Sequence, residues 1–227
     1  MSVTGSYRMA ANPGPQKHMV DFDLQEALAQ PGCAICRLAT RDVSRYLQSL
    51  LALVNDVKMR QELRMSGGLC REHAWQAAAL GSRLSVCILW CDLVSAALGG
   101  LQHAIPRPRD AGQGGCMVCR RHAKATGIYC DVLVRHLERG GLRGDYAASA
   151  GLCVPHLWFA MTRAGAAAKR FLLETERANL ERLQADLQEV IRKNDYRFHN
   201  EPWGPERDAW RRATAKLAGE NSIRMTD

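Results

Sequence analysis

The sequence predicts an all-α protein, a helical bundle built from two tandem repeats of about 83 residues, each with a Cys3His metal site. Apolar residues recur at helical spacing in every long segment, and none shows the alternation of a strand. A set of cysteines and histidines also recurs. Cys33-x2-Cys36 followed by Gly68-Leu69-Cys70-x2-His73 returns 83 positions later as Cys116-x2-Cys119 and Gly151-Leu152-Cys153-x2-His156. Arg37, Tyr46, Leu50 and Trp75 return in the same register as Arg120, Tyr129, Leu133 and Trp158. Four ligand-type residues at one internal spacing, with aromatic neighbours in step, point to an internal duplication.

Taken in order, residues 1–17 are polar and read as a disordered N-terminus, and repeat 1 covers 18–104. After Cys36 the apolar positions Val43, Tyr46, Leu47, Leu50 and Val54 mark a helix, matched in repeat 2 by Tyr129, Cys130, Leu133 and Leu137. Asp56–Met65 bridges to Gly67-Gly68. A long helix is then expected from near Cys70 to about Gly99, and its counterpart from Cys153 to about Asn194. Leu84–Leu101 is nearly uncharged, so this helix is expected to be buried on most sides, in the middle of the bundle. Its counterpart, Ala167–Gln184, is studded with Lys, Arg and Glu and is expected to be one-sided. Between the repeats, 105–115 holds Pro106, Pro108 and three glycines and reads as a linker. Repeat 2 covers 116–196. The remaining 197–227 gives a turn and a short helix over Glu206–Leu217, with Pro205 suited to its first turn.

Composition narrows the class. In 227 residues, 47% apolar and 24% charged, there is material for a core and none of the profile of a disordered chain. Met1–Gln16 lacks the apolar stretch of a signal peptide, and the nine cysteines are an odd number. Both weigh against a secreted disulfide framework and for a cytoplasmic protein. Leu84–Leu101 has the length of a short membrane span, but Asp92 lies in its middle and Arg83 at its edge, so no membrane segment is expected.

Each ligand pair follows a glycine at an expected helix start, where residues three apart share a face. Two such starts facing each other make a tetrahedral site. Site one is expected from Cys33, Cys36, Cys70 and His73, site two from Cys116, Cys119, Cys153 and His156. Three thiolates and an imidazole around Zn2+ form a standard structural set with no open position for water. Two zinc ions are therefore the favoured cofactors. Iron–sulfur clusters on the same ligands are the alternative, weakened by the absence of a tight run of three cysteines.

The other cysteines and histidines read as structural. Cys87 and Cys91 lie in one stripe with Leu84, Ile88, Val94 and Leu98, and core packing outweighs a redox pair or extra metal site. Cys130 aligns with Leu47 and is expected in the core. His103, His122 and His136 have no counterpart and read as surface or core residues; His18 and His199 fall in expected loops. No catalytic constellation is present: Glu72, between Cys70 and His73, has Pro155 as its counterpart. The chain is therefore expected to act by binding, as an adaptor or regulatory module. An iron–sulfur electron carrier or oxidant sensor is the alternative, and a zinc-dependent nucleic-acid-binding module a third.

Of the net charge of +8, residues 1–105 carry +2, 106–160 carry +4 and 161–227 carry +2. The basic middle, from Arg107 to Arg143, allows nucleic-acid contact, but it lacks interleaved aromatics and reads better as a solvated face. The helix over 166–193, with Leu173, Leu180, Leu183, Leu187 and Val190 at near-heptad spacing, is the expected docking surface for a protein partner or a second copy. Trp203 and Trp210 are expected to anchor the tail on the bundle.

The tandem Cys-x2-Cys and Gly-Leu-Cys-x2-His units, Trp75 and Trp158 just after the histidines, and the Glu201-Pro202-Trp203-Gly204 to Trp210 tail resemble an uncharacterised bacterial family, a domain of unknown function. The likeness spans about residues 20–218. It implies a bacterial source and treats the eight ligand-type residues as a unit; it implies no activity.

Overall fold

A computed structural model of the chain describes residues 19–101, 115–198 and 200–220. The N-terminal segment 1–17, nearly all of the 105–115 linker, and His18, His103 and His199 lie outside the described residues. Among those described there is no strand, and the chain is all-α as expected. The helices are α1 (Met19–Leu28), α2 (Ala34–Ala52), α3 (Val57–Met65), α4 (Arg71–Leu80), α5 (Arg83–Leu101), α6 (Met117–Arg139), α7 (Arg143–Ala148), α8 (Val154–Met161), α9 (Ala166–Lys193) and α10 (Ala209–Ala218). A 3-10 turn, Pro205–Asp208, leads into α10.

The most extensive helix pair is α2 with α6. Their apolar stripes meet in opposite directions. Ile35 and Leu38, early in α2, share a core cluster with Leu133 and Leu137, late in α6. Val43, Leu47 and Leu50, late in α2, share the other with Met117 and Val118 at the start of α6. An antiparallel α2–α6 pair is thus the centre of the molecule, and its two helix N-termini lie at opposite ends. Helix starts keep the sequence offset of 83: Ala34 and Met117, Arg71 and Val154, Arg83 and Ala166.

Three expectations are corrected. The long helix from Cys70 is two helices. Gly81 ends α4 in an extended conformation (ψ 155°), and Ser82 Oγ accepts from the Ser85 N–H at 3.1 Å to start α5. A Cβ on Gly81 would fall 2.6 Å from Val86 Cγ2 and 2.9 Å from Leu51 Cδ2, so the corner needs glycine for space. The counterpart breaks too, between Met161 and Ala166, where the Gly165 N–H donates to Glu138 Oε1 at 2.9 Å.

Second, α5 is not in the middle. Leu89 is buried, but Leu84 is 71% exposed, Val94 57% and Leu98 59%. Cys87 and Cys91 are exposed as well, not core residues. Uncharged composition forecast burial, but the central place is taken by the α2–α6 pair, and α5 lies on the flank. Asp92 turns to α3, where Arg60 (3.1 Å) and Arg64 (2.6 Å) grip it; Arg60 foremost holds its carboxyl below the usual range. Among the described residues no helix is long and apolar enough to cross a membrane.

Third, the tail is anchored by groups other than its tryptophans. Trp203 and Trp210 are about half exposed, whereas Ala209 and Glu206 are buried. Glu206 accepts from Lys193 Nζ at 2.7 Å and from the Gly204 N–H at 2.8 Å, and Arg212 bonds Asp186 of α9 at 3.0 Å. Lys193, then the Gly204 N–H, hold the Glu206 carboxyl down at about 2. A depressed carboxylate stabilises the fold above its unfolded value of 4.5, and that contribution is lost as pH falls from 4.5 towards 2. Trp203 fluorescence followed between pH 6 and 2 should therefore report tail release only below the ordinary carboxylate range, and Glu206→Gln should weaken that pH dependence, leaving the part carried by Asp186.

A buried polar knot ties the second half together. Glu176 of α9, 2% exposed, accepts from Tyr146 Oη, from the Leu152 N–H at 2.6 Å and from Lys216 Nζ of α10. Gly151 has φ +74°, and a Cβ there would fall 2.2 Å from Glu176 Oε1. The residue 83 positions before Glu176 is Leu93, which lies against Gly68 in the same manner without any polar partner.

Candidate metal centres

Four helices begin at a ligand. Cys33, Cys70, Cys116 and Cys153 are the N-caps of α2, α4, α6 and α8, each in extended backbone geometry with no side-chain cap of its own. Their carbonyls accept the first helical hydrogen bonds, from Arg37, Ala74, Arg120 and Leu157. The sulfur is thereby left free to turn away from the helix. The second ligand of each pair, Cys36, His73, Cys119 or His156, stands three residues on, one turn above the cap. Gly67, Gly68 and Gly151 all have positive φ, which lets the chain swing sharply into α4 and α8.

All eight residues gather into two clusters, within each of which the ligand atoms lie inside 4.8 Å of one another. The grouping is not the expected one. Cys33 and Cys36 meet Cys153 and His156, while Cys70 and His73 meet Cys116 and Cys119. Each half of the chain therefore supplies two ligands to each cluster. The antiparallel α2–α6 pair is the reason: the N-terminus of α2 is met by α8, and the N-terminus of α6 by α4. The sites are nested along the chain, and the two are called outer (33, 36, 153, 156) and inner (70, 73, 116, 119) below.

The distances suit one small ion. In the outer cluster His156 Nδ1 is 3.5, 3.3 and 3.2 Å from the sulfurs of Cys33, Cys36 and Cys153, and Cys36 and Cys153 are 3.6 Å apart. In the inner cluster His73 Nδ1 is 3.1, 3.7 and 3.4 Å from Cys70, Cys116 and Cys119, and Cys70 and Cys119 are 3.6 Å apart. A tetrahedron with metal–sulfur bonds of about 2.3 Å and metal–nitrogen bonds of about 2.05 Å has edges of about 3.8 and 3.6 Å.

Charge asks for a cation at both places. In the outer cluster, hydrogen bonds from Cys33 and Cys36 hold the Cys153 thiol down at about 3, while Cys36, bonded to Cys153 and Cys33, is pushed far up. In the inner cluster, burial pushes Cys119 up to about 12, helped by Cys70. Burial also opposes ionisation of Cys116, but the bond to His73 and several backbone N–H groups bring it down to about 6. One thiolate per cluster is thus supported by its neighbours at the expense of the others. A dication relieves that competition, and the two converging helix N-termini favour the remaining negative charge.

The clusters differ in cover. All three outer cysteines are buried, Cys33 to 4%, Cys36 to 7% and Cys153 to 1% exposure. The inner Cys70 and Cys119 are half-buried. The tail makes part of the difference. A Cβ on Gly219 (φ +89°) would lie 3.8 Å from Cys36 Sγ and 3.9 Å from Cys153 Sγ, and Glu220 Oε1 accepts from the Cys33 N–H at 2.8 Å. Nothing in the spacing of the ligands signalled Gly219 or Glu220.

Cys130 is fully buried, as its alignment with Leu47 predicts, and burial raises its thiol to about 12. His136 bonds Asp21 of α1 at 2.9 Å. His122 is half-buried on α6; burial, then the charges of His156 and His73, lowers its pKa.

Fold and site together define an all-α protein with two Cys3His clusters shared between its halves. The chain belongs to DUF6062, a family of unknown function, which matches residues 101–223. It is also similar to a protein of Caldicellulosiruptor sp. (strain Rt8B.4), described as an uncharacterized 23.9 kDa protein in the xynA 3' region. That likeness is 26% identity over 204 residues, covering 86% of this chain and 98% of the relative. No solved structure matches the chain.

Proposed function

We propose that the protein holds two structural zinc ions, one in each crossed cluster, and acts by binding, as an adaptor or regulatory module. The observation that carries this reading is the ligand geometry. Sulfur–sulfur separations of 3.6 Å suit a single ion. A four-iron cluster, with iron and sulfide between its ligands, sets them further apart. Four protein ligands leave no open position, so the ions tie the halves together instead of activating water. Zinc bound by such sets contributes on the order of 10 kcal/mol to the folding of small domains.

Binding, in place of chemistry, is supported by the exposed apolar surface. Helix α9, whose apolar residues fall at near-heptad spacing with charged residues between them, is the face proposed for a protein partner or a second copy. The tail covers part of it, and Leu173, Leu180 and Ile191 remain exposed. Membrane and nucleic acid are not part of the proposal.

The test is metal analysis of protein purified without oxygen, with a visible spectrum of the same sample. Two zinc per chain and no colour is the expected result. Iron with acid-labile sulfide and a brown colour would overturn the zinc reading, and a folded chain with neither metal would overturn both.

A further inference from the structure

We propose that the inner cluster is a thiol-oxidation site, at which hydrogen peroxide joins Cys70 to Cys119 and expels the metal while the outer cluster keeps its own. This rests on the metal-binding reading above.

The two sulfurs are 3.6 Å apart, and disulfide formation at about 2.05 Å asks for a movement of roughly 1.6 Å. Cys70 stands at the very start of α4, two residues after Gly68, and Gly67 and Gly68 are both at positive φ, where the chain can take up that movement. Distance alone does not single out this pair, because Cys36 and Cys153 are also 3.6 Å apart. Access does. Cys70 and Cys119 are half-buried, whereas Cys36 and Cys153 are buried beneath Gly219. Lys216, bonded to the Ala150 carbonyl at 2.9 Å, pins α10 beside the outer ligands. Oxidation follows thiolate character and access, and a metal-bound thiolate has the first.

The step balances as follows. One thiolate attacks the peroxide O–O bond, gains an oxygen as sulfenic acid and releases hydroxide. The second thiolate attacks that sulfur, the S–S bond forms, and a second hydroxide leaves. Two protons turn both hydroxides into water. The two sulfurs are oxidised by two electrons and one peroxide is reduced. Only His73 and Cys116 would then remain to hold the ion, too few for a closed site, and it would be released. A dithiol reverses the reaction and restores the site.

The experiment treats the zinc-loaded full chain with hydrogen peroxide, follows zinc release with a chromophoric chelator, and maps disulfides by mass spectrometry of peptides. Cys87 and Cys91 are exposed thiols outside both clusters. A Cys87→Ser/Cys91→Ser variant run alongside should release zinc like the parent. One equivalent should leave roughly tenfold or more ahead of the other, together with a Cys70–Cys119 disulfide, as access directs. A chain ended after Ala218 should lose its second equivalent faster, with the first unchanged. Release of both equivalents at one rate, or a Cys36–Cys153 disulfide appearing first, overturns this assignment and leaves metal binding standing. A chain that takes up no zinc overturns the reading beneath it.

Discussion

Cys36→Ser combined with Cys153→Ser should leave one tightly held metal per chain, whereas Cys36→Ser combined with Cys70→Ser should leave none. The first pair falls within one cluster and the second pair spans both. Had each repeat built its own site, the two results would be exchanged. Metal content after dialysis against a weak chelator therefore decides the grouping without a structure. The stability cost should follow the same rule. Once Cys36 is replaced, adding Cys153→Ser should cost little more, since the ion is already lost. Adding Cys70→Ser should cost a second ion, on the order of several kcal/mol of folding free energy.

The second large effect is expected at Glu176. Replacement by Ala leaves Tyr146 Oη and the Leu152 N–H without their acceptor and Lys216 Nζ without its carboxylate partner, beside a side chain that is 2% exposed. Breaking one side of a buried charge pair costs about 3–5 kcal/mol. In a chain of this size that lowers the unfolding temperature by roughly 6–20 °C. Lys216→Ala on top of Glu176→Ala should add less than it does alone, because the ammonium has already lost its charged partner and keeps only the Ala150 carbonyl. Denaturant titration of all four proteins gives the coupling directly. Additive losses would show that the two side chains do not form one unit.

The ligand set and its local setting were legible because both are short-range. Three residues between partners, a glycine before the cap and the return of the pattern after 83 positions are all read along the chain. Helix starts at Ala34, Arg71, Met117 and Val154 follow from them. What periodicity could not show is which half meets which. Two identical half-sites satisfy their ligands equally well within a repeat or between repeats, and only the antiparallel contact of α2 with α6 chooses. The break at Gly81-Ser82 was hidden because the apolar spacing continues across it; Gly81 turns extended there, Ser82 starts the next helix, and Leu51 and Val86 leave no room for a side chain at the corner. Helix α5 misled for a different reason. An uncharged helix is usually a buried one, yet here Leu84, Val94 and Leu98 face outward. The tail's hold on the outer cluster, through Gly219 and Glu220, rests on contacts between residues more than 180 positions apart.

The nesting of the two sites also sets a timetable for synthesis. A self-contained first repeat would have all its ligands once His73 had left the ribosome. In the crossed arrangement no site is complete until Cys119 emerges, and the outer one waits for His156. At about 5–20 residues per second, the 37 residues between them take roughly 2–7 s. During that interval Cys33 and Cys36 are out and without their partners. The nascent chain is then most exposed to capture of a wrong metal, or of the ligands of a neighbouring copy. With the proposed ions, metal supply and translation speed become joint determinants of how much of the protein reaches its native pairing.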